Sequence, residues 1–186
     1  MPNNGNVSGF FPLVAMTLGL MFSSSASAAD TAFAVDYLIG ESDVDGVRLG
    51  FRPHETTLKD LPLLGDVDVY WEVSLNYWSD GDSSNEDDEN YAIALSPVFT
   101  KQFATMFGNP IRWEAGIGVS ILEDTMFAGK DMGTHFQFED RIGVNMQFGE
   151  KLNHSVALRY MHYSNGGLDS ENPGIDFISL AYSTQF

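Results

Sequence analysis

The residues best suited to chemistry lie close together near the end of the chain. His162 and Ser164 are two positions apart, so on a β-strand both side chains project from the same face. Asp176 follows a Gly-rich connection and shares the parity of Ile178 and the other apolar residues of the next strand. An acid, a base and a hydroxyl on one face are the groups that nucleophilic acyl transfer needs. We therefore predict that Ser164 attacks a carbonyl, His162 moves the proton and Asp176 orients the imidazole.

The turn after Ser164 supplies a candidate oxyanion hole. The segment Asn165-Gly166-Gly167 carries backbone N–H groups in a flexible turn, and such groups can stabilise the charge of a tetrahedral intermediate. A His-x-Ser pair on its own is common, and these residues are alternatively polar groups at the interfacial end of a strand. The shared face of Asp176 and the Gly-rich turn favour the catalytic interpretation.

Apolar and polar residues alternate along much of the chain, which is typical of β-strands with two unlike faces. The clearest alternation runs over 67–78, 112–121 and 136–148. Weaker versions predict further strands at 31–41, 46–53, 91–103, 153–164 and 175–186. Strands of roughly 8–13 residues, in an even number, are typical of outer-membrane barrels. The predicted fold is therefore all-β, an eight-stranded antiparallel up-and-down transmembrane β-barrel.

One face of these strands carries charges of both signs, which can pair inside a narrow lumen. The residues are Asp36, Arg48, Arg52, Asp68, Glu72, Arg112, Glu114, Glu139, Arg141 and Arg159. In a soluble lipocalin-type barrel the charges would face water instead, and alternation does not distinguish the two arrangements. The chain ends on Phe186, which resembles the terminal aromatic signature of bacterial outer-membrane barrels, and this favours the membrane barrel.

The lengths of the connections point the same way. The predicted outer loops near 42–45, 79–90, 123–134 and 165–174 are mostly long and acidic or Gly-rich, whereas the turns at 104–109 and 149–152 are shorter. Long outer loops and short periplasmic turns are typical of outer-membrane barrels. The connection predicted at 54–65, which follows Pro53, is longer than that rule prefers.

The first part of the chain has the pattern of an export signal. Phe10 to Phe22 is almost unbroken apolar sequence, and Ala26-Ser27-Ala28 suits cleavage before Ala29, although no Lys or Arg precedes the apolar segment. We predict a signal peptide over 1–28 and a barrel over 29–186. A buried N-terminal helix is the alternative.

The formal net charge of −17 argues against nucleic acid as a partner, because phosphates would be repelled. Part of the excess lies in the acidic stretch 85–90, which is either a solvated loop or a divalent-cation site that bridges to anionic headgroups. His54, His135 and His154 lack the spacing of metal ligands, so no metal site is predicted.

Two further carboxylates bear on the candidate site. Asp140 interrupts the apolar row of the strand before His162. Antiparallel pairing predicts that Asp140 lies roughly opposite Tyr160, and a bulge is the favoured explanation of the interruption, ahead of a contact to Tyr160 or His162. Glu171, in the loop, is a weaker substitute for Asp176 as the third catalytic residue because nothing constrains its direction.

The stretch His162-Tyr163-Ser164-Asn165-Gly166-Gly167, with Asn172-Pro173-Gly174-Ile175-Asp176, resembles the motif of the PagL lipid A 3-O-deacylase family. The resemblance implies an eight-stranded barrel in the bacterial outer membrane that hydrolyses the 3-position ester of lipid A in lipopolysaccharide, with no organic cofactor. It also implies that His162 and Ser164 are base and nucleophile and that Asn165 and Gly167 lie at the oxyanion hole.

Asp176 stands where that family usually has Glu, so the acid is one methylene shorter and its reach to His162 becomes the decisive distance. Two other classes remain open from the sequence. One is a non-enzymatic small outer-membrane barrel with a structural or adhesive role, and the other is a secreted, soluble lipocalin-like binder.

Overall fold

The computed structural model describes residues 31–41, 43–81 and 89–186, and all regular elements in these ranges are β-strands. No helix within them is long and apolar enough to cross a membrane. The strands are β1 (Ala32–Gly40), β2 (Val44–Leu61), β3 (Gly65–Asp80), β4 (Glu89–Met106), β5 (Asn109–Leu122), β6 (Met126–Phe127), β7 (Lys130–Asp131), β8 (Phe136–Phe148), β9 (His154–Ser164) and β10 (Ile175–Gln185). The signal peptide predicted over 1–28 and most of the acidic stretch 85–90 lie outside the described residues.

Eight of the strands close into one antiparallel barrel in the order β1-β10-β9-β8-β5-β4-β3-β2. The first and last strands complete the closure, with Ala32 opposite Gln185 and Gly40 opposite Phe177. The two remaining strands, β6 and β7, form a small separate hairpin in the connection between β5 and β8. The predicted eight-stranded up-and-down barrel is confirmed, and the hairpin is an addition that is too short to show alternation.

The outer wall of the barrel is apolar. Ile142, Leu158 and Leu180 are 63%, 55% and 61% exposed, and they belong to the outward rows of three neighbouring strands. The charged residues predicted for the lumen point inward and are mostly buried. A lipocalin-type barrel would show its charges to water, so that alternative is wrong. An apolar exterior is what a barrel surrounded by lipid requires.

The irregular connection predicted at 54–65 is wrong. β2 and β3 stay paired from Val44–Asp80 as far as Leu61–Gly65, with register shifts between Phe51 and His54 and between Leu58 and Leu61. Pro53 lies in the first of these shifts, where a residue without an N–H group is tolerated because a bulge leaves it unpaired. The strands therefore run on beyond the point at which the proline suggested an end.

An ion-pair network fills the middle of the lumen. Glu72 binds Arg48 and Arg52 at 2.6 and 2.7 Å, and Arg159 binds Asp36 at 2.7 Å. Each of these side chains is almost completely buried. Removal of one partner from such a network leaves an uncompensated buried charge, at a cost of about 3–5 kcal/mol. The network therefore holds several strands in one register.

The outer end of the lumen is filled differently, by an apolar cluster. We call it the Trp78 cluster; its members are Leu38, Val44, Trp78, Ala92, Leu122, Phe127, Met132, Met161, Tyr163, Ile175 and Phe177. The Trp78 ring lies 4.8 Å from the Tyr163 ring and 5.1 Å from the Phe177 ring. Tyr163 and Phe177 follow His162 and Asp176 in the chain and point to the opposite face. The strands that carry the candidate site are thus backed by packed side chains.

Candidate active site

Three polar side chains form a row across neighbouring strands on the apolar outer wall. Asp140 on β8 pairs with His162 on β9, which in turn pairs with Asp176 on β10. The side chains of His162 and Asp176 are each 34% exposed. The predicted outward face of His162, Ser164 and Asp176 is confirmed by the burial pattern of the two strands.

The Asp176 carboxylate reaches the imidazole directly. His162 Nδ1 lies 2.6 Å from Asp176 Oδ1, a short distance that is typical of a charge-assisted hydrogen bond. The two residues are opposite each other in the antiparallel register, so their Cβ atoms are already close and the shorter aspartate suffices. A neutral imidazole that donates from Nδ1 keeps Nε2 free to accept a proton.

Tyr160 is a further member of the site that sequence reasoning missed. Its hydroxyl donates to Asp176 Oδ1 at 2.7 Å, so one carboxylate oxygen accepts from both Tyr160 and His162. The parity of Tyr160, two positions before His162, was a usable signal. From the sequence alone, however, Tyr160 cannot be told apart from the other residues of the apolar outer row.

Loss of the Tyr160 hydroxyl is expected to weaken the site without disabling it. In Tyr160→Phe the carboxylate loses one of two donors, a change of about 0.5–1.5 kcal/mol that corresponds to a roughly two- to tenfold fall in kcat. The fall in kcat is measured by steady-state hydrolysis with the purified barrel. Tyr182→Phe is the matched control, since the Tyr182 hydroxyl instead meets His154 Nδ1 far from the site. Equal losses in both variants would contradict the assignment.

Ser164 ends β9 on the same outward face as His162. Two residues along a strand separate Cα atoms by about 6–7 Å, a span that two side chains leaning toward each other can bridge. Within the described residues the Ser164 hydroxyl makes no hydrogen bond, either to His162 or to another group, so it is free to turn toward His162 Nε2 or toward a substrate. Phe138 on β8 lies opposite Ser164 and forms the wall of the site on that side.

The turn after Ser164 is held by its own side chains. Buried Asn165 accepts from the Gly167 amide at 2.9 Å and donates to the carbonyls of Met132 and Glu171. The backbone N–H of Asn165 donates to Asn172 Oδ1, a contact that the sequence does not predict. Asn165 and Gly167 are therefore at the predicted place beside the nucleophile, but their amides are engaged within the loop.

Gly166 presents a backbone amide beside Ser164. Its φ is +65° and that of Gly167 is +80°, both in the region that favours glycine. A Cβ at Gly166 would come within 2.8 Å of the Phe138 ring, so the backbone lies directly against the wall of the site. The Gly166 amide makes no hydrogen bond within the described part of the chain, which leaves it as a donor for an oxyanion.

The predictions for Asp140 are corrected by the register. No shift interrupts the pairing of β8 with either neighbour, so the bulge is wrong, and Asp140 lies opposite His162 rather than Tyr160. The residue keeps its outward direction as one polar position in an apolar row. It flanks the imidazole on the side away from Asp176.

Glu171 contributes its backbone to the site. Its carbonyl accepts a hydrogen bond from Asn165 Nδ2 at 2.7 Å, and the residue is exposed. His162 is hydrogen-bonded to Asp176 and not to the Glu171 carboxylate. Among the described residues no group of three His, Asp or Glu side chains is arranged to hold a metal ion.

The fold and the site together define a class of protein: a small barrel with an apolar exterior that carries an aspartate, a histidine and a serine hydroxyl, the groups that a hydrolase uses, on its outer wall. A family model described as lipid A 3-O-deacylase (PagL) matches residues 45–185. The chain belongs to this family, and the matched range includes His162, Ser164 and Asp176.

Similar proteins agree with the assignment. The chain is 34% identical to the lipid A deacylase PagL of Pseudomonas aeruginosa over 171 residues, 91% of this chain and 93% of that protein. It is 34% identical to the lipid A deacylase PagL of Bordetella bronchiseptica over 122 residues, 66% of this chain and 65% of that protein. A crystal structure of the outer membrane enzyme PagL superposes with a TM-score of 0.66 at 28% identity and covers 83% of this chain and 99% of its own.

Proposed function

We propose that this protein is a serine esterase that hydrolyses the 3-position ester-linked acyl chain of lipid A in the outer membrane. The observation that carries the proposal is the hydrogen bond between His162 and Asp176 on the outer wall, beside the free hydroxyl of Ser164. Membership of the lipid A 3-O-deacylase family supports the choice of substrate. No organic cofactor or metal is needed for this chemistry.

The reaction begins when Ser164 Oγ attacks the ester carbonyl and His162 Nε2 takes the hydroxyl proton. Asp176 stabilises the imidazolium that forms, and the turn Asn165–Gly167 holds the oxyanion through the Gly166 amide. The imidazolium then gives its proton to the sugar alcohol as that group leaves. Water, activated by His162, hydrolyses the acyl-enzyme and releases the 3-hydroxy fatty acid.

The position of the site supports a lipid substrate. Ser164 and Asp176 lie at the outer ends of β9 and β10, and exposed Leu158 and Leu180 continue the same wall below them. An acyl chain can lie along this wall while its ester sits at the height of Ser164. Polar side chains within lipid are costly, and a catalytic role accounts for their presence. Export through a signal peptide over 1–28 completes the proposal.

The test is a mass spectrum of lipid A from a host whose lipid A carries a 3-position 3-hydroxyacyl chain. Expression of the full chain is expected to lower the mass of lipid A by one 3-hydroxyacyl group and to release that acid. The barrel must first be seen in the outer-membrane fraction as a heat-modifiable band. An unchanged spectrum with such a band present would exclude the esterase and favour a non-enzymatic barrel.

A further inference from the structure

We propose that Lys130 is a positioning residue, which fixes the backbone of Gly174 and thereby the imidazole of His162. The inference rests on the proposed function, because it concerns the same site. Lys130 Nζ donates to the Gly174 carbonyl at 3.2 Å and to Glu41 Oε2 at 2.8 Å. One ammonium group therefore joins three outer connections: the one after β1, the β6–β7 hairpin and the one before β10.

Gly174 is in close contact with the catalytic base. A Cβ at this position would lie 2.8 Å from His162 Cε1, so the bare glycine backbone forms the surface against which the imidazole packs. Gly174 has a φ of +67°, and Asp176 follows two residues later. A shift of the Gly174 carbonyl would move the support of the ring and the start of β10 together.

The hairpin that carries Lys130 is well placed to hold another loop. Phe127 is part of the Trp78 cluster, with its ring 6.0 Å from the Trp78 ring, so the hairpin is rooted in the lumen. Its other end touches the loop after Ser164, where the Met132 carbonyl accepts from Asn165 Nδ2 at 3.0 Å. Lys130 adds a contact with the connection before β10, on the Asp176 side of the site. The hairpin thus contacts both halves of the site.

No other cation can replace Lys130. The chain has nine Lys and Arg residues, and all of them lie in the described ranges. The five arginines face the lumen, and Lys59, Lys101 and Lys151 lie at the opposite end of the barrel. Lys130 is therefore the single Lys or Arg side chain at the outer end of the described chain, and it binds a backbone carbonyl as well as the Glu41 carboxylate.

The test is steady-state hydrolysis of lipid A by the purified full-length barrel in mixed micelles. Lys130→Met keeps most of the length of the side chain and removes its charge and donors. We expect kcat to fall about tenfold or more, with KM changed by less than about twofold, because misplacement of a catalytic group affects the chemical step. Lys130→Arg is expected to restore most of kcat, since guanidinium can donate to both partners.

Lys101→Met is the matched control. Lys101 also donates to a backbone carbonyl, that of Leu64, but at the far end of the barrel, so kcat is expected to stay at the wild-type value. All variants are compared as heat-modifiable, folded barrels. If Lys130→Met does not fold, the same comparison is made with Lys130→Gln.

Two results would overturn the proposal. An unchanged kcat in folded Lys130→Met or Lys130→Gln means that Gly174 is held without the ammonium. A raised KM with an unchanged kcat means that Lys130 binds an anionic group of the substrate instead. Failure of the proposed function looks different, because then the wild-type protein itself releases no 3-hydroxyacyl acid.

Discussion

Replacement of Ser164 by alanine is expected to abolish the release of 3-hydroxyacyl chains from lipid A, with a fall in kcat on the order of 10⁴–10⁶. In the proposed mechanism this hydroxyl forms the covalent bond with the acyl group, so its removal takes away the nucleophile. Quantification of released acid by mass spectrometry covers this range. The barrel should remain fully folded, since Ser164 makes no structural hydrogen bond within the described residues.

Ser155→Ala provides the control for this prediction. Ser155 is on the same strand but at its other end, and its hydroxyl meets Ser183 at 2.7 Å. This variant is expected to keep the wild-type rate. Residual activity of Ser164→Ala above about one per cent would mean that another nucleophile operates, because triad enzymes lose far more than this.

Asp176→Asn is expected to lower kcat by about 10⁴, the usual effect of this change in a triad. An amide at this position can donate to Nδ1, which places the imidazole proton on Nε2 and removes the base that Ser164 needs. Asp176→Glu should remain active, because the family usually has Glu there. The rates are measured on the same lipid A substrate as for Ser164→Ala.

Asp140→Asn is the matched control for Asp176→Asn, since both carboxylates lie directly opposite His162 on its two neighbouring strands. Only Asp176 is hydrogen-bonded to the imidazole. The kcat of Asp140→Asn is therefore expected to fall by less than about tenfold, which is the effect of losing a single hydrogen bond. If the two variants lose equal activity, the acid of the triad is shared between both sides. If Asp140→Asn loses more, Asp176 is not the third member.

The barrel and the face of the site could be predicted because both depend on a period of two residues. Once His162 and Asp176 shared the parity of Leu158 and Leu180, their outward direction followed from strand geometry alone. The reach of the aspartate could not be judged in the same way, because it depends on which residues of β9 and β10 are opposite each other. The register of β9 and β10 depends on the length of the loop between them, and the alternation of apolar residues does not determine that length.

The errors have physical reasons of the same kind. Asp140 was interpreted as a bulge because a polar residue in an apolar row looks like a break, yet the strand tolerates it beside His162. Pro53 was interpreted as the end of a strand, but the register shift accommodates it.

Contacts of Tyr160, Asn172 and Lys130 join segments that come together only when the barrel closes and its outer loops pack. The secondary-structure propensity of each segment does not predict these long-range contacts. The predicted signal peptide over 1–28 stays a prediction, as does the catalytic role of each site residue until the variants are measured.

The filled lumen has a consequence for the membrane that holds the barrel. The Trp78 cluster closes one end and the Glu72 ion pairs occupy the middle, and the cavity near Arg112 at the other end has a volume of only about 50 Å³. Side chains therefore occupy the lumen at each of these levels in the described part of the chain. We therefore expect that insertion of the barrel leaves the conductance of the surrounding bilayer unchanged, which single-channel recording on planar membranes measures.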